Sequence, residues 1–114
     1  MAITYFQDTI FSTESTLSAP AVGTALQVAQ NNFFSTKDYT LIVTVASVNT
    51  NVVVRLEGSV DGTNYAPIIA NQTITANGTT VYSVSGRPVK WIRTNFVSET
   101  GGTAATVTFS VAAA

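Results

Sequence analysis

The chain contains no cysteine and no histidine, and it has only six acidic residues. These absences remove thiol nucleophiles, serine–histidine–aspartate triads and the commonest zinc ligands. Glu57 and Asp61 would share one face of a strand, but four extended residues separate them by about 13 Å, which is more than a hydrolytic carboxylate pair uses. The sequence therefore predicts a protein that is not an enzyme, with no catalytic residues, no metal and no cofactor.

Charge is also scarce, since charged residues make up 10% of the chain and the net charge is -1. A soluble domain usually carries about 25% charged residues. A surface of threonine, serine, asparagine and alanine can be desolvated at modest cost when another protein packs on it, which favours a subunit of an assembly. The basic residues are scattered, so no nucleic-acid partner is expected. They are Lys37, Arg55, Arg87, Lys90 and Arg93.

Long apolar runs are missing as well. No stretch approaches the length that spans a bilayer, and the start MAITYFQDT has no basic segment followed by an apolar run, as a secretory signal would. We therefore expect no membrane partner and synthesis in a cytoplasm.

What the sequence does contain is a series of short alternating segments separated by turn residues. Val52 to Ile68 combines a strand with the turn pair Asp61-Gly62, and its alternation directs Val52, Val54, Leu56 and Val60 to a core and Arg55, Glu57 and Ser59 outward. Further alternating strands are predicted at Tyr39–Ser47, Val89–Val97 and Ala105–Val111. Hairpins are predicted at Asn49–Asn51, Asp61-Gly62, Asn77-Gly78 and Gly101-Gly102. Pro67 indicates an edge strand, because proline cannot donate to a ladder.

These segments predict one all-β domain spanning the 114 residues. The expected architecture is a single antiparallel β-sandwich of about eight strands with jelly-roll or Greek-key wiring and an extended N-terminal arm. Residues 1–23, rich in serine, threonine and alanine, form the arm and loop region, and residues 24–114 form the sandwich.

Several large aromatic residues are candidates for contacts with other subunits. Phe33 and Phe34 are adjacent, so on a strand they cannot both face the core. Trp91 shares a strand face with Arg93 and Asn95, where it could be an interface anchor, a core residue of a second layer or a platform for stacking a sugar. The candidate interface residues are Tyr5, Phe6, Phe11, Phe33, Phe34, Trp91 and Arg93.

Two motifs resemble small β-sandwich virion proteins of tailed bacteriophages. The first is LEGSVDGTNY at Leu56–Tyr65, and the second is VKWIRTN at Val89–Asn95, followed by Gly101-Gly102-Thr103 before a terminal strand. The resemblance covers about Leu41 to Val111. In this chain Tyr65 stands where the family pattern often has tryptophan, and Trp91 where it often has tyrosine.

The resemblance implies a structural protein of the virion, specifically a capsid decoration or cement protein. Such a protein binds the major capsid protein and copies of itself, for example as a homotrimer, on the capsid surface after synthesis in the host cytoplasm. Two alternatives remain open. One is a carbohydrate-binding or host-adhesion module of a head or tail fibre, with Trp91 stacking on a glycan. The other is a structural subunit of the tail or baseplate.

Overall fold

The computed structural model describes residues 10–13, 17–29 and 36–114. These residues form nine β-strands, and none of them forms a helix long and apolar enough to cross a bilayer. The strands are β1 (Ile10–Thr13), β2 (Ala21–Val22), β3 (Leu26–Gln27), β4 (Tyr39–Ala46), β5 (Asn51–Ser59), β6 (Ala66–Ile74), β7 (Gly78–Val84), β8 (Trp91–Thr100) and β9 (Thr106–Ala113).

The strands form two antiparallel sheets. The first has the order β1-β9-β4-β7, and the second has the order β2-β8-β5-β6, with β3 also pairing with β8. If β2 and β3 are taken as one interrupted strand, each sheet has four strands and the wiring is that of a jelly roll. The predicted all-β sandwich is therefore confirmed, and of the two wirings expected from the sequence the structure has the jelly roll.

The core lies between the inner faces of the two sheets. Strand alternation predicted it correctly along β4, where Leu41, Val43 and Val45 are buried, and along β8, where Ile92 and Phe96 are buried. The same holds for the inward positions of β9. Alternation predicts these strands well because each has one face on the core and one face outside.

Three of the four predicted hairpins are wrong. The turns at Asn49–Asn51, Asn77-Gly78 and Gly101-Gly102 join β4 to β5, β6 to β7 and β8 to β9, and in each case the two strands lie in different sheets. These turns are therefore arches across the sandwich. Only the connection at Asp61-Gly62 joins paired strands, β5 and β6, and it is a six-residue loop, 60–65.

The predicted faces of β5 also need correction at its C-terminal end. Val60, predicted to face the core, is 65% exposed because the strand ends at Ser59. Glu57 and Ser59, predicted to face outward into water, are 2% and 3% exposed. The pairing of β5 with β6 shifts register after Val54, and the outer side of this strand is covered by neighbouring side chains and by the loop 60–65.

The edge strands of the two sheets include one that the sequence predicted and two from the N-terminal region. β6 contains Pro67 and lies at the edge of its sheet, as predicted. In the region assigned from sequence to the arm and loop, β1 pairs with β9, and β2 pairs with β8. Residues 1–9 of the expected arm lie outside the described residues.

Candidate functional site

The outer face of the second sheet brings together polar residues that are distant in sequence. Because β5 and β8 are neighbours, Glu57 lies opposite Arg93, Arg55 lies opposite Asn95, and Ser59 lies opposite Trp91. The sequence placed each set on an outward strand face. It did not predict that the two sets adjoin, because this depends on the order of strands in the sheet.

Glu57 is the centre of this group, which we call the Glu57 cluster (Arg55, Glu57, Arg93 and Asn95). Arg93 Nε donates to Glu57 Oε1 at 2.6 Å, while Arg55 Nε at 2.7 Å and Asn95 Nδ2 at 2.8 Å both donate to Oε2. Arg55 Nη2 also lies 2.6 Å from Oε2. Both carboxylate oxygens of a buried side chain are therefore satisfied by charged or amide donors.

The electrostatics of Glu57 follow from this geometry. Burial raises the pKa of the carboxyl group, but the hydrogen bonds from Asn95, Arg93 and Arg55 outweigh it and hold the pKa below its usual value. The sequence predicted only that Arg55 and Glu57 share an outward strand face. They form an ion pair there, but the acid is buried and is shared with Arg93, so the cluster connects β5 with β8.

Trp91 and Arg93, two of the candidate interface residues, both contact other parts of the same chain. The guanidinium of Arg93 lies 3.9 Å from the centre of the Tyr65 ring, an arrangement that favours a cation–π interaction. Trp91 is half-buried beside Gly62, where a Cβ atom would lie 3.5 Å from the indole ring. The loop 60–65 thus packs on this face of the sheet.

Asp61 fixes the shape of that loop. Its Oδ1 atom accepts hydrogen bonds from the backbone N–H groups of Asn64 and Thr63, both at 2.8 Å, and Asn64 Nδ2 donates to Oδ2 at 2.7 Å. These bonds lower the pKa of Asp61 far below its usual value, together with the Ser59 hydroxyl at 2.8 Å. Gly62 takes a φ of 79°, a conformation that glycine adopts without strain. The turn residues identified from sequence are therefore structural.

A different surface has the composition expected of a contact between subunits. We call the outward positions of β4, β7 and β9 in the first sheet the neutral face, because none of the described side chains at these positions is charged. It consists of Thr40, Ile42, Thr44, Ala46, Thr79, Val81, Ser83, Thr106, Thr108, Ser110 and Ala112. Ile42 and Val81 are direct partners across β4 and β7, and they are 37% and 60% exposed. None of these residues is among the candidate interface residues predicted from the sequence, although alternation alone identifies the outward positions of β4 and β9.

The other candidate interface residues are Tyr5, Phe6, Phe11, Phe33 and Phe34. Tyr5, Phe6, Phe33 and Phe34 lie outside the described residues. The backbone of Phe11 lies in β1, paired with Ala112, and its side chain is outside the described part of the structure.

Chemical groups that could form a reactive or metal-binding centre are sparse in the part of the chain that the structure describes. No group of three or more acidic side chains lies close enough together there to hold a metal ion. The open grooves are shallow surface features. One of about 450 Å³ lies between the loop 60–65 and residues 86–89, and its charged side chain is Arg87.

Comparison with known proteins shows similarity of fold. The structure of the SPBc2 prophage-derived protein YomS is similar, with a TM-score of 0.60, 9% sequence identity and coverage of 94% of each chain. A structure of Bacillus endospore appendages that form disulfide-linked pili aligns over 92% of this chain and 87% of that one, at 13% identity. Its TM-score of 0.39 is below the level at which two chains share a fold. No protein-family model and no curated protein sequence matches the chain.

Proposed function

We propose that this protein is a non-enzymatic structural protein of a phage virion, and specifically a decoration protein that binds the major capsid protein on the outside of the head. The observation that carries the proposal is the neutral face, a sheet surface of hydroxyl and small apolar side chains with exposed Ile42 and Val81. Such a surface would lie against the shell, and the rest of the jelly roll would hold it rigid.

The composition of the neutral face suits a contact that forms from many equal copies. Threonine and serine hydroxyls form hydrogen bonds with water or with a partner, and they lose less on desolvation than charged groups do. An interface without charged pairs is also less sensitive to salt. Each contact can be weak, because a subunit bound at several points, or a ring of linked subunits, gains from multivalency.

The fold comparison supports the same proposal. The SPBc2 prophage-derived protein YomS has a similar fold, and the alignment covers nearly the whole of both chains. Jelly rolls occur widely among viral capsid proteins. The charge-poor composition adds a third line of support, since a domain with 10% charged residues benefits from covering part of its surface.

Location in the particle is the direct test. A tagged copy is expressed in cells that carry the gene, particles are purified on a density gradient, and the tag is located by immunogold electron microscopy. We expect labels distributed over the head, with a fixed ratio to the major capsid protein by quantitative mass spectrometry. Labels confined to the tail would replace decoration with a tail or baseplate role, and a chain that never sediments with particles would overturn the proposal.

A matched pair of variants tests the role of the neutral face. Ile42→Lys places a charge in the middle of this face, whereas Val60→Lys makes a comparable change in the loop 60–65, at a residue that is 65% exposed. We expect the first variant to fold but to leave the heads, and the second to stay bound. A specific glycan-array signal that Trp91→Ala abolishes, with no binding to heads, would favour a carbohydrate-binding module instead.

A further inference from the structure

The exposed edges of the two sheets differ in how they are protected against pairing with another chain. Native edge strands are usually very short or carry proline, charge or bulges. β2 and β3 have two residues each. β6 contains Pro67, and its pairing with β5 is interrupted by two register shifts. β2, β3 and β6 therefore each have a feature that hinders pairing.

β7 has none of these features. It is seven residues long, GTTVYSV, with no proline and no charge. It pairs with β4 without interruption, from Val84 opposite Tyr39 to Gly78 opposite Val45. No other described strand pairs with it, so among the described residues the backbone groups along its second edge have no strand partner. Val81, at its centre, is 60% exposed.

We infer that β7 is the dimerisation edge of this protein and pairs antiparallel with β7 of a second copy around a two-fold axis. The register that overlaps all seven residues places Val81 opposite Val81 of the partner subunit. On the neutral face, Thr79 then lies opposite Ser83 of the partner subunit. The two four-stranded sheets become one continuous sheet of eight strands, and both unprotected edges are removed.

The chemistry of the edge favours a second copy as the occupant. A two-fold interface places the same surface opposite itself, so any charge near its centre would face a like charge. Residues 73–86 carry no charge. Lys37 and Asp38 lie beside the Val84 end of the strand, where Arg87 N also donates to Lys37 O. Antiparallel pairing brings this charged end of each copy next to the uncharged Gly78 end of the other.

The exposed apolar side chains of Ile42 and Val81 would pack together across this two-fold axis. Ile42 is the direct partner of Val81 within one copy. Across the two-fold axis the four side chains form one row on the neutral face, namely Ile42 and Val81 followed by Val81 and Ile42 of the second copy. The row covers part of the exposed area of both valines, and it continues the neutral face across the junction. A partner with a charged edge strand would leave its charge beside this apolar row without a counterion.

The experiment measures mass against concentration by sedimentation equilibrium. An interface formed mainly by one strand pair is small, so we search for dissociation between about 5 and 500 μM. We expect the 12.0 kDa monomer to be in equilibrium with a species of twice that mass. Val81→Lys should weaken the dimer at least tenfold. Val60→Lys, which adds the same charge at another exposed valine, should not weaken it.

Opposite charges at the axis make the test specific. Val81→Lys alone and Val81→Glu alone should both be monomeric, while an equimolar mixture should form a heterodimer, because lysine then faces glutamate. Far-ultraviolet circular dichroism and thermal melts confirm that both variants fold. A wild-type chain that stays monomeric at 500 μM or forms a trimer would overturn the inference, and so would a mixture that does not associate. A wild-type chain that forms this dimer but never sediments with phage particles would overturn only the proposed function.

Discussion

Replacing Glu57 with glutamine tests whether the Glu57 cluster holds β5 and β8 together. Glutamine has the shape of glutamate, but it removes the negative charge and one of two acceptor oxygens. Oε1 accepts from Arg93, whereas Oε2 accepts from both Arg55 and Asn95. The less damaging orientation therefore turns the new amide nitrogen towards Arg93, so that a donor faces a donor and two guanidinium groups lose their counterion.

The size of the effect can be worked from burial. Breaking a buried ion pair costs about 3–5 kcal/mol. Arg55 and Arg93 are 29% and 30% exposed, so water can solvate part of their charge once the carboxylate is lost. We therefore expect the free energy of unfolding to fall by about 2–3 kcal/mol, a large share of the roughly 5–15 kcal/mol typical of a domain. The melting temperature should drop by about 8–12 °C.

Denaturant unfolding followed by tryptophan fluorescence measures this change. Trp91 is the single tryptophan, and it lies on the same sheet face as the cluster, opposite Ser59. Asp38→Asn is the matched control, because it also removes one carboxylate charge but from an exposed pair with Lys37, and it should leave the midpoint almost unchanged. If Glu57→Gln loses less than about 0.5 kcal/mol, or no more than the control, the cluster does not hold the strands and the reasoning is wrong.

Two further predictions concern acid and the arches. Glu57 and Asp61 both have a pKa in the folded protein that lies below the value in an unfolded chain. Their contribution to stability is therefore complete above about pH 5 and is lost as the pH falls through the pKa values of the folded protein. The urea midpoint should be lower at pH 3 than at pH 7, and equal midpoints would contradict this prediction. Gly101→Ala should lower the free energy of unfolding by about 2–4 kcal/mol, because φ is 86° and the new Cβ overlaps the Thr50 side chain. Gly86→Ala is the control, since φ is 72° but the space around this glycine is open, and it should lose about 1–2 kcal/mol. Thermal melts of both variants measure the difference. Equal losses at the two glycines would show that contact with Thr50 does not matter.

The sequence predicted the fold class because alternation is a local property of the strand. Leu41, Val43 and Val45, or Ile92 and Phe96, recur with period two, and burial of one sheet face makes that period visible. The same reasoning fails at the end of β5. There Glu57 and Ser59 are buried on the outer face, by arginine side chains and by the loop 60–65, and no local pattern predicts such a cover.

The candidate site was predicted in part. The sequence placed Trp91, Arg93 and Asn95 on one strand face and Arg55 and Glu57 on another, and both assignments agree with the structure. It could not predict that these faces adjoin, nor that Trp91 and Arg93 contact the loop 60–65 and Tyr65. The sequence did not identify the neutral face, because a single threonine, serine or alanine at an outward strand position is common on any sheet. Their significance appears only when three strands align.

By itself, then, the sequence determined the strands, most of their buried faces and the positions of the turns, because these depend on residues within a few positions of each other. Only the tertiary structure decided which strands pair. The turns at Asn77-Gly78 and Gly101-Gly102 have the residues of hairpins, yet each crosses between sheets. The physical reason is that a turn sequence sets the direction of the backbone locally, whereas pairing depends on which distant strand can satisfy the hydrogen bonds while both sheets bury one common core.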